Sequence, residues 1–338
     1  MLRSHNALRW DGSPGHYEAY YLTLTDPASG VGLWIRYTML APRGPDATPT
    51  AALWFVAIDP DPDAARATIG RRATFPIDRL HARREPFGLR IDAATLGDDG
   101  MTGAFADVSW DLRWRPDDRG YAHVHPVLGD AGIADTVLVL PHADLSVDGE
   151  VGFAGRRLEL SGARGGQAHV WGVRHARRWA WAHCNDFRTL DGAPVPGAFV
   201  DGVSAVVSRS GRELGPSTPV LARIDGQDFR SASPFRLLRN ASTFALTGWR
   251  FEAVHGARRL VGEVDADRGQ LAGVTYHDPD GEPAYCYNSE TASMRLRVYE
   301  RARRVGGWAH RQTLVAPGRA HFEYGQRSPV PGQELVIP

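Results

Sequence analysis

The stretch Gln167–Phe187, QAHVWGVRHARRWAWAHCNDF, holds three Trp, three His, one Cys, one Asn and one Asp, a density no other segment of the chain approaches. Read as a β-strand, Trp179–Asp186 places Trp179, Trp181, His183 and Asn185 on one face and Ala180, Ala182, Cys184 and Asp186 on the other. A regular strand therefore cannot send both Asn185 and Asp186 into one cavity. A barrel wall presenting two indoles, an imidazole and an amide suits a large apolar ligand with one small polar spot.

The pattern outward from that stretch is also strand-like. Runs rich in Val, Ile, Thr and aromatic residues, among them Tyr17–Thr25, Gly32–Leu40, Ala51–Ile58, Phe105–Arg115, Ala241–Val254 and Met294–Arg301, are cut by turns such as Asp98-Asp99-Gly100, Asp148-Gly149 and Asp225-Gly226. Met294–Val298 alternates apolar and charged residues, the period of a strand with one wet face. Helical periods are scarce; Asp61–Ala67 alone invites a short helix behind an aspartate cap. Without crossover helices to support a parallel sheet, two antiparallel barrels or sandwiches are the expected packing. The Gly-rich segment Ser161–Gly166 suggests a boundary, giving domains 1–163 and 164–338. Tyr17–Tyr21 opens the first half much as Trp179–His183 opens the second.

Composition narrows the chemistry. The chain has 338 residues, with 39 basic and 39 acidic side chains, and every basic one is Arg. The absence of Lys removes Schiff-base catalysis, lysine-anchored pyridoxal phosphate and the lysine-dependent phosphate loop. Zero net charge gives no field favouring phosphate, so no nucleic-acid partner is expected. Cys184 and Cys286 are the only cysteines, too few for a disulfide framework or a cysteine-built zinc site. His123-Val124-His125 lacks a convincingly spaced third ligand, so no metal is expected either. Polar Ser4, His5 and Asn6 stand where a signal peptide would be apolar, and Ala51–Ile58 is far short of the ~20 residues of a membrane helix. The expectation is a cytoplasmic, cofactor-free protein with a hydrophobic small-molecule partner and no stable membrane insertion, its oligomeric state open.

The spacing His169-x-Trp171-Gly172, Arg178-Trp179-x-Trp181, Cys184-Asn185 resembles the signature of the tocopherol cyclase and carotenoid 1,2-hydratase group, whose members are similar to paired lipocalins. Tyr17-Glu18-Ala19-Tyr20-Tyr21 and Gly32–Tyr37 resemble that group's first strands, and Tyr285-Cys286-Tyr287-Asn288-Ser289-Glu290 is similar to the terminal strand of related uncharacterised members. The chain departs from the pattern at His183 and Asp186. The resemblance implies an all-β fold of two tandem lipocalin-like (calycin) antiparallel β-barrels. It further implies a cofactor-free enzyme that adds water across a terminal alkene of a prenyl or polyene lipid, or closes a ring; some relatives guide pericyclic closures.

Protonating an unactivated alkene requires a carboxylic acid that keeps its proton at neutral pH, which burial can arrange. Asp186, Glu18 and Glu290 are the candidate acids, whereas Asp107 and Asp111, flanking Ser109, read as a solvated face. His183 and His169 are candidate proton carriers that could equally satisfy a backbone carbonyl. Trp171, Trp179 and Trp181 would shield a cation, each indole contributing about 2 kcal/mol when desolvated. Asn185, His169, Tyr20, Tyr285 and Asn288 complete the expected ligand contacts. A non-catalytic lipid carrier and a pericyclic cyclase that works by folding its substrate are the rival readings.

Overall fold

The structure is a computed structural model that describes all residues except 1–4, 45, 62–67, 117–118, 131, 133, 210–211, 233–239 and 302–305. The helix expected at Asp61–Ala67 and most of the Arg301–Arg304 run lie outside the described residues. The first sheet has twelve strands: β1 (His16–Thr25), β2 (Gly32–Ala41), β3 (Thr50–Ile58), β4 (Thr68–Pro76), β5 (Leu80–Arg83), β6 (Gly88–Ile91), β7 (Ala94–Gly97), β8 (Gly100–Phe105), β9 (Val108–Trp114), β10 (Tyr121–Ala122), β11 (Thr136–Phe153) and β12 (Arg156–Gly172). The second has thirteen: β13 (Arg178–Cys184), β14 (Arg188–Thr189), β15 (Phe199–Arg209), β16 (Arg212–Ser217), β17 (Val220–Ile224), β18 (Gln227–Ser231), β19 (Ala241–Ala245), β20 (Gly248–His255), β21 (Arg258–Asp265), β22 (Ala272–His277), β23 (Pro283–Glu300), β24 (Ala309–Gln326) and β25 (Leu335–Ile337).

Both sheets wind the same way. In the first, β1 pairs with β2 and with the final strand β12; in the second, β13 pairs with β15 and with the last long strand β24. The likeness between Tyr17–Tyr21 and Trp179–His183 thus reflects equivalent places in two antiparallel windings, and the fold is all-β with two tandem lipocalin-like barrels. Each curls around its own core: Leu22, Ile35, Phe55, Trp110 and Val147 in the first, and Ala180, Cys184, Trp249, Phe251 and Leu296 in the second.

A third core lies between the barrels. Strands β1, β2 and β3 are buried on both faces, which explains why they read as near-continuous apolar runs. Leu33, Ile35, Leu53 and Phe55 point into the first barrel, while Tyr21, Trp34, Trp54 and Val56 point out of it and meet Trp179, Trp181, Val274 and Cys286 of the second sheet.

That layer corrects two expectations. The alternation of β13 is as read, but the face carrying Trp179 and Trp181 is the outer one, toward the first sheet; the barrel interior takes Ala180, Ala182 and Cys184, small enough to lie beside Trp249 and Phe251. The boundary expected between residues 163 and 164 falls inside β12, which continues in the first sheet to Gly172. Its glycines serve close approach rather than a linker: a Cβ on Gly165 would stand 2.0 Å from the Thr23 carbonyl oxygen, and one on Gly166 would stand 2.8 Å from His183 Nε2. The chain changes sheet in 173–177. Phe105–Arg115 is two strands, turned at Ala106 (φ 48°).

Candidate functional site

A cavity of about 730 Å³ opens in the layer between the sheets, within the range of small-molecule sites. Its wall is aromatic, with Tyr17, Tyr21 and Trp34 from the first sheet and Trp179, Trp181 and Tyr276 from the second. Exposed Arg174, Arg177 and Glu282 mark its rim. Trp179 lies flat because its strand partner is Gly325, where a Cβ would come 2.0 Å from the indole. Its Nε1 donates to Glu323 Oε1 at 2.6 Å, and Glu323 also lines the cavity.

Two imidazoles of this wall, His175 and His123, are each paired with a buried carboxylate behind it. His175, in the crossing between the sheets, donates Nδ1–H to Asp278 Oδ1 at 2.6 Å, and Arg327 Nη1 lies 2.7 Å from the other carboxylate oxygen. The ring is layered against Tyr17 (4.4 Å) and Tyr276 (5.2 Å). Burial lowers the His175 pKa, outweighing the opposite pull of Asp278, so the ring is neutral at pH 7. Burial pushes the Asp278 carboxyl up, but His175 and Arg327 hold it below its ordinary value, so it stays ionised. This arrangement directs the protonated nitrogen at the carboxylate and leaves Nε2 as the basic nitrogen, without a partner among the described residues. In the second pair, His123 Nε2 lies 2.6 Å from Asp201 Oδ1, Trp181 Nε1 donates to the same carboxylate at 3.1 Å, and the buried His123 Nδ1 has no partner among the described residues. His125, its companion in the rejected metal pair, is exposed. Burial, with Glu323 and Asp201 adding to it, holds the Tyr21 phenol well above its ordinary pKa, so it remains a donor in the cavity wall.

Of the residues proposed from the sequence as catalytic or ligand-contacting, only Trp179 and Trp181 line this cavity. Glu18, Tyr20, His169 and Trp171 belong to the barrel side of β1 and β12, where they clamp the segment ahead of β1. Glu18 is fully buried and accepts from Arg9 N (2.9 Å), Trp10 N (3.0 Å), His16 Nε2 (3.0 Å), Tyr20 Oη (2.7 Å) and His169 Nε2 (2.8 Å). Burial pushes its carboxyl up, but those bonds hold it far below the usual range, so at neutral pH it is ionised and not a proton donor. His169 Nδ1 meets the His5 carbonyl at 2.6 Å, and the Arg9 guanidinium covers Trp171 at 4.7 Å. Tyr285 packs against the second barrel's core rather than the cavity.

Asp186, two residues past the end of β13, is ion-paired with Arg319 and is not part of the cavity wall. Asn185 joins the sheets, its Nδ2 donating toward Asp144 Oδ1 (2.9 Å), Leu145 O (3.0 Å) and Gly165 O (2.8 Å). His183 does the same deeper in the layer, with Nε2 at 2.8 Å from the Ala143 carbonyl and Nδ1 at 3.1 Å from His321 Nδ1. Burial lowers the pKa of both imidazoles. Glu290 has the protonation state an acid catalyst needs, its pKa raised to about 8 by burial against the pull of the Thr23 hydroxyl. It nevertheless sits outside the cavity wall, pressed against Gly32 and bonded to Thr23. Asn288 is buried between Glu290 and Cys286 along β23, with its Nδ2 unpartnered.

The sequence reading missed His175, Asp278, Asp201, Glu323 and Arg36, and weighed His123 only as half of a metal pair. His175 sits within the quoted stretch, but nothing local marks Asp278, 103 positions away, as its partner. No helix among the described residues is long and apolar enough to cross a membrane.

No family model matches the chain. An uncharacterised protein of Mycobacterium tuberculosis, found in two strains, is 28% identical over 315 residues, covering 91% of this chain and 89% of the relative. A putative AttH of Nitrosomonas europaea superposes at a TM-score of 0.54 with 12% identity, over 95% of this chain and 98% of that one. Kievitone hydratase of Nectria haematococca gives 0.52 with 7% identity, over 97% and 92%. CghA with Sch210972 gives 0.56 with 11% identity, over 93% and 89%. These likenesses run through both barrels and establish a shared fold: the chain has the tandem lipocalin-like architecture on which a hydratase is also built.

Proposed function

We propose that the protein is a cofactor-free enzyme of hydratase or cyclase type acting on a hydrophobic, isoprenoid- or polyketide-like molecule held between its two sheets. The observation that carries this reading is the His175–Asp278 pair in the wall of an aromatic cavity of ligand size. A neutral imidazole oriented by an ionised carboxylate is a general base at neutral pH. His175 Nε2 would take the proton from a water or a substrate hydroxyl as its oxygen attacks the far carbon of a conjugated carbon–carbon double bond, the π electrons moving onto the conjugated oxygen. The imidazolium would then return that proton to the adjacent carbon as the double bond to oxygen or the aromatic ring re-forms. The Tyr21 phenol would hydrogen-bond the substrate oxygen on which charge develops. Such donors suit a double bond conjugated to a carbonyl or phenol. They replace the carboxylic acid expected for an unactivated alkene, because Glu290, the one carboxyl with a raised pKa among the described residues, lies outside the cavity wall. The hydratase of the same fold supports the reading.

The test is incubation with a panel of prenylated phenols and polyene ketones in H₂¹⁸O and D₂O, with products followed by mass. His175→Gln and Asp278→Asn should each lower turnover on the order of 100-fold while leaving ligand affinity within threefold. Binding without any product in the wild type would make the protein a carrier. Product that takes up no solvent atom, formed equally well by His175→Gln, would make it a pericyclic catalyst.

A further inference from the structure

Arg36 lies in β2 between Ile35 and Tyr37, on the face turned toward the second sheet, and only 6% of it is exposed. Its guanidinium stands over the Tyr276 ring at 4.3 Å and near the Trp34 ring at 5.5 Å, in the cavity wall. Its buried Nε has no hydrogen-bond partner among the described residues. The other arginines of the wall are each matched by a carboxylate: Arg174 with Asp280 at 2.5 Å, Arg177 with Glu213 at 3.1 Å and Arg327 with Asp278 at 2.7 Å. Glu323, the carboxylate that shares the wall, is engaged by Trp179 and forms no ion pair with Arg36 among the described residues. Since the chain has no Lys, the choice of Arg carries no weight. What carries weight is a buried cation that faces a cavity and has no ion-pair partner among the described residues.

An unpaired buried charge is among the costlier things a fold can hold, and ring stacking offsets only part of that. Stacking over Tyr276 leaves the guanidinium edge unused, and that edge is the part that grips a carboxylate through two parallel N–H···O bonds. We infer that the molecule bound in this cavity is a lipophilic carboxylate, its apolar body among the indoles and its charged end paired with Arg36. This rests on the cavity being the ligand site and adds the class of molecule that fills it.

The test uses two ligands of one shape, 1-pyrenebutyrate and 1-pyrenebutanol, titrated against the full chain at pH 7.5 with quenching of Trp emission as the readout. The wild type should bind the acid at least tenfold more tightly than the alcohol. Arg36→Met should bring the acid's affinity to the alcohol's and leave the alcohol's within twofold. Val203→Trp, which fills the cavity, should abolish both. Equal affinities in the wild type would overturn the inference while leaving the cavity reading intact, as would an Arg36→Met variant that weakens both ligands alike. Failure of both ligands to bind, or undiminished binding to Val203→Trp, would overturn the two together. The acid-to-alcohol ratio of the wild type decides the matter even if Arg36→Met does not fold.

Discussion

Replacing Glu290 with Gln removes a carboxyl whose protonation is bound up with folding. Below its ordinary pKa of 4.5 the group carries its proton in folded and unfolded chains alike. Between 4.5 and about 8 the unfolded chain ionises it while the folded protein, which buries it against Thr23 with the Glu323 carboxylate nearby, does not. The unfolded state then binds fewer protons, so stability falls as pH rises through that window and the loss is complete above pH 8. At about 1.4 kcal/mol per pH unit, the ceiling on the loss is about 5 kcal/mol. Gln keeps the shape and still offers Thr23 an acceptor. Urea unfolding of both proteins from pH 4.5 to 9 should show near-equal stabilities at the acid end, with Glu290→Gln ahead by several kcal/mol above pH 8. Parallel curves across that range would refute the assignment of a neutral Glu290 to the layer between the sheets.

Three further substitutions separate structural from functional roles. Glu18→Gln breaks a buried, ionised hub and should cost about 3 kcal/mol; limited proteolysis should show faster cleavage ahead of His16, and an unchanged digestion pattern would contradict the clamp. Asp186→Asn removes only a partly exposed pair with Arg319, so melting should move by less than about 1 kcal/mol equivalent and ligand binding should not change; a lost activity would restore Asp186 as a catalytic candidate. Gly325→Ala puts a methyl 2.0 Å from the Trp179 indole and should push that ring into the cavity, weakening pyrenebutanol binding at least tenfold, whereas unchanged binding would show the indole does not bound the site.

The strand periods were legible from local pattern, and so was the shared face of Trp179, Trp181, His183 and Asn185. Which side of the barrel that face occupies was not, because alternation defines two faces without naming the inner one. The signal lay elsewhere in the chain: adjacent large residues such as Tyr20-Tyr21 and Trp34-Ile35 mark strands buried on both faces, and hence a layer outside the barrel. Glu18 and His169 drew notice as chemistry-bearing residues and proved to be a hydrogen-bonded clamp, since a buried carboxylate can be satisfied by the backbone N–H of Arg9 and by the His169 imidazole of the neighbouring strand. His123 and Asp201 are 78 positions apart, and only the pairing of two sheets brings them together. Arg36 carried a local cue, a charge inside an otherwise apolar strand.

A direct measurement is crystallographic: crystals soaked with 4-iodophenol, with iodine located by anomalous scattering. The account predicts a peak between the sheets, in the space bounded by Tyr21, Trp181 and His175. Iodine inside either barrel, among Leu22 and Phe55 or among Trp249 and Phe251, or no site between the sheets at all, would contradict it.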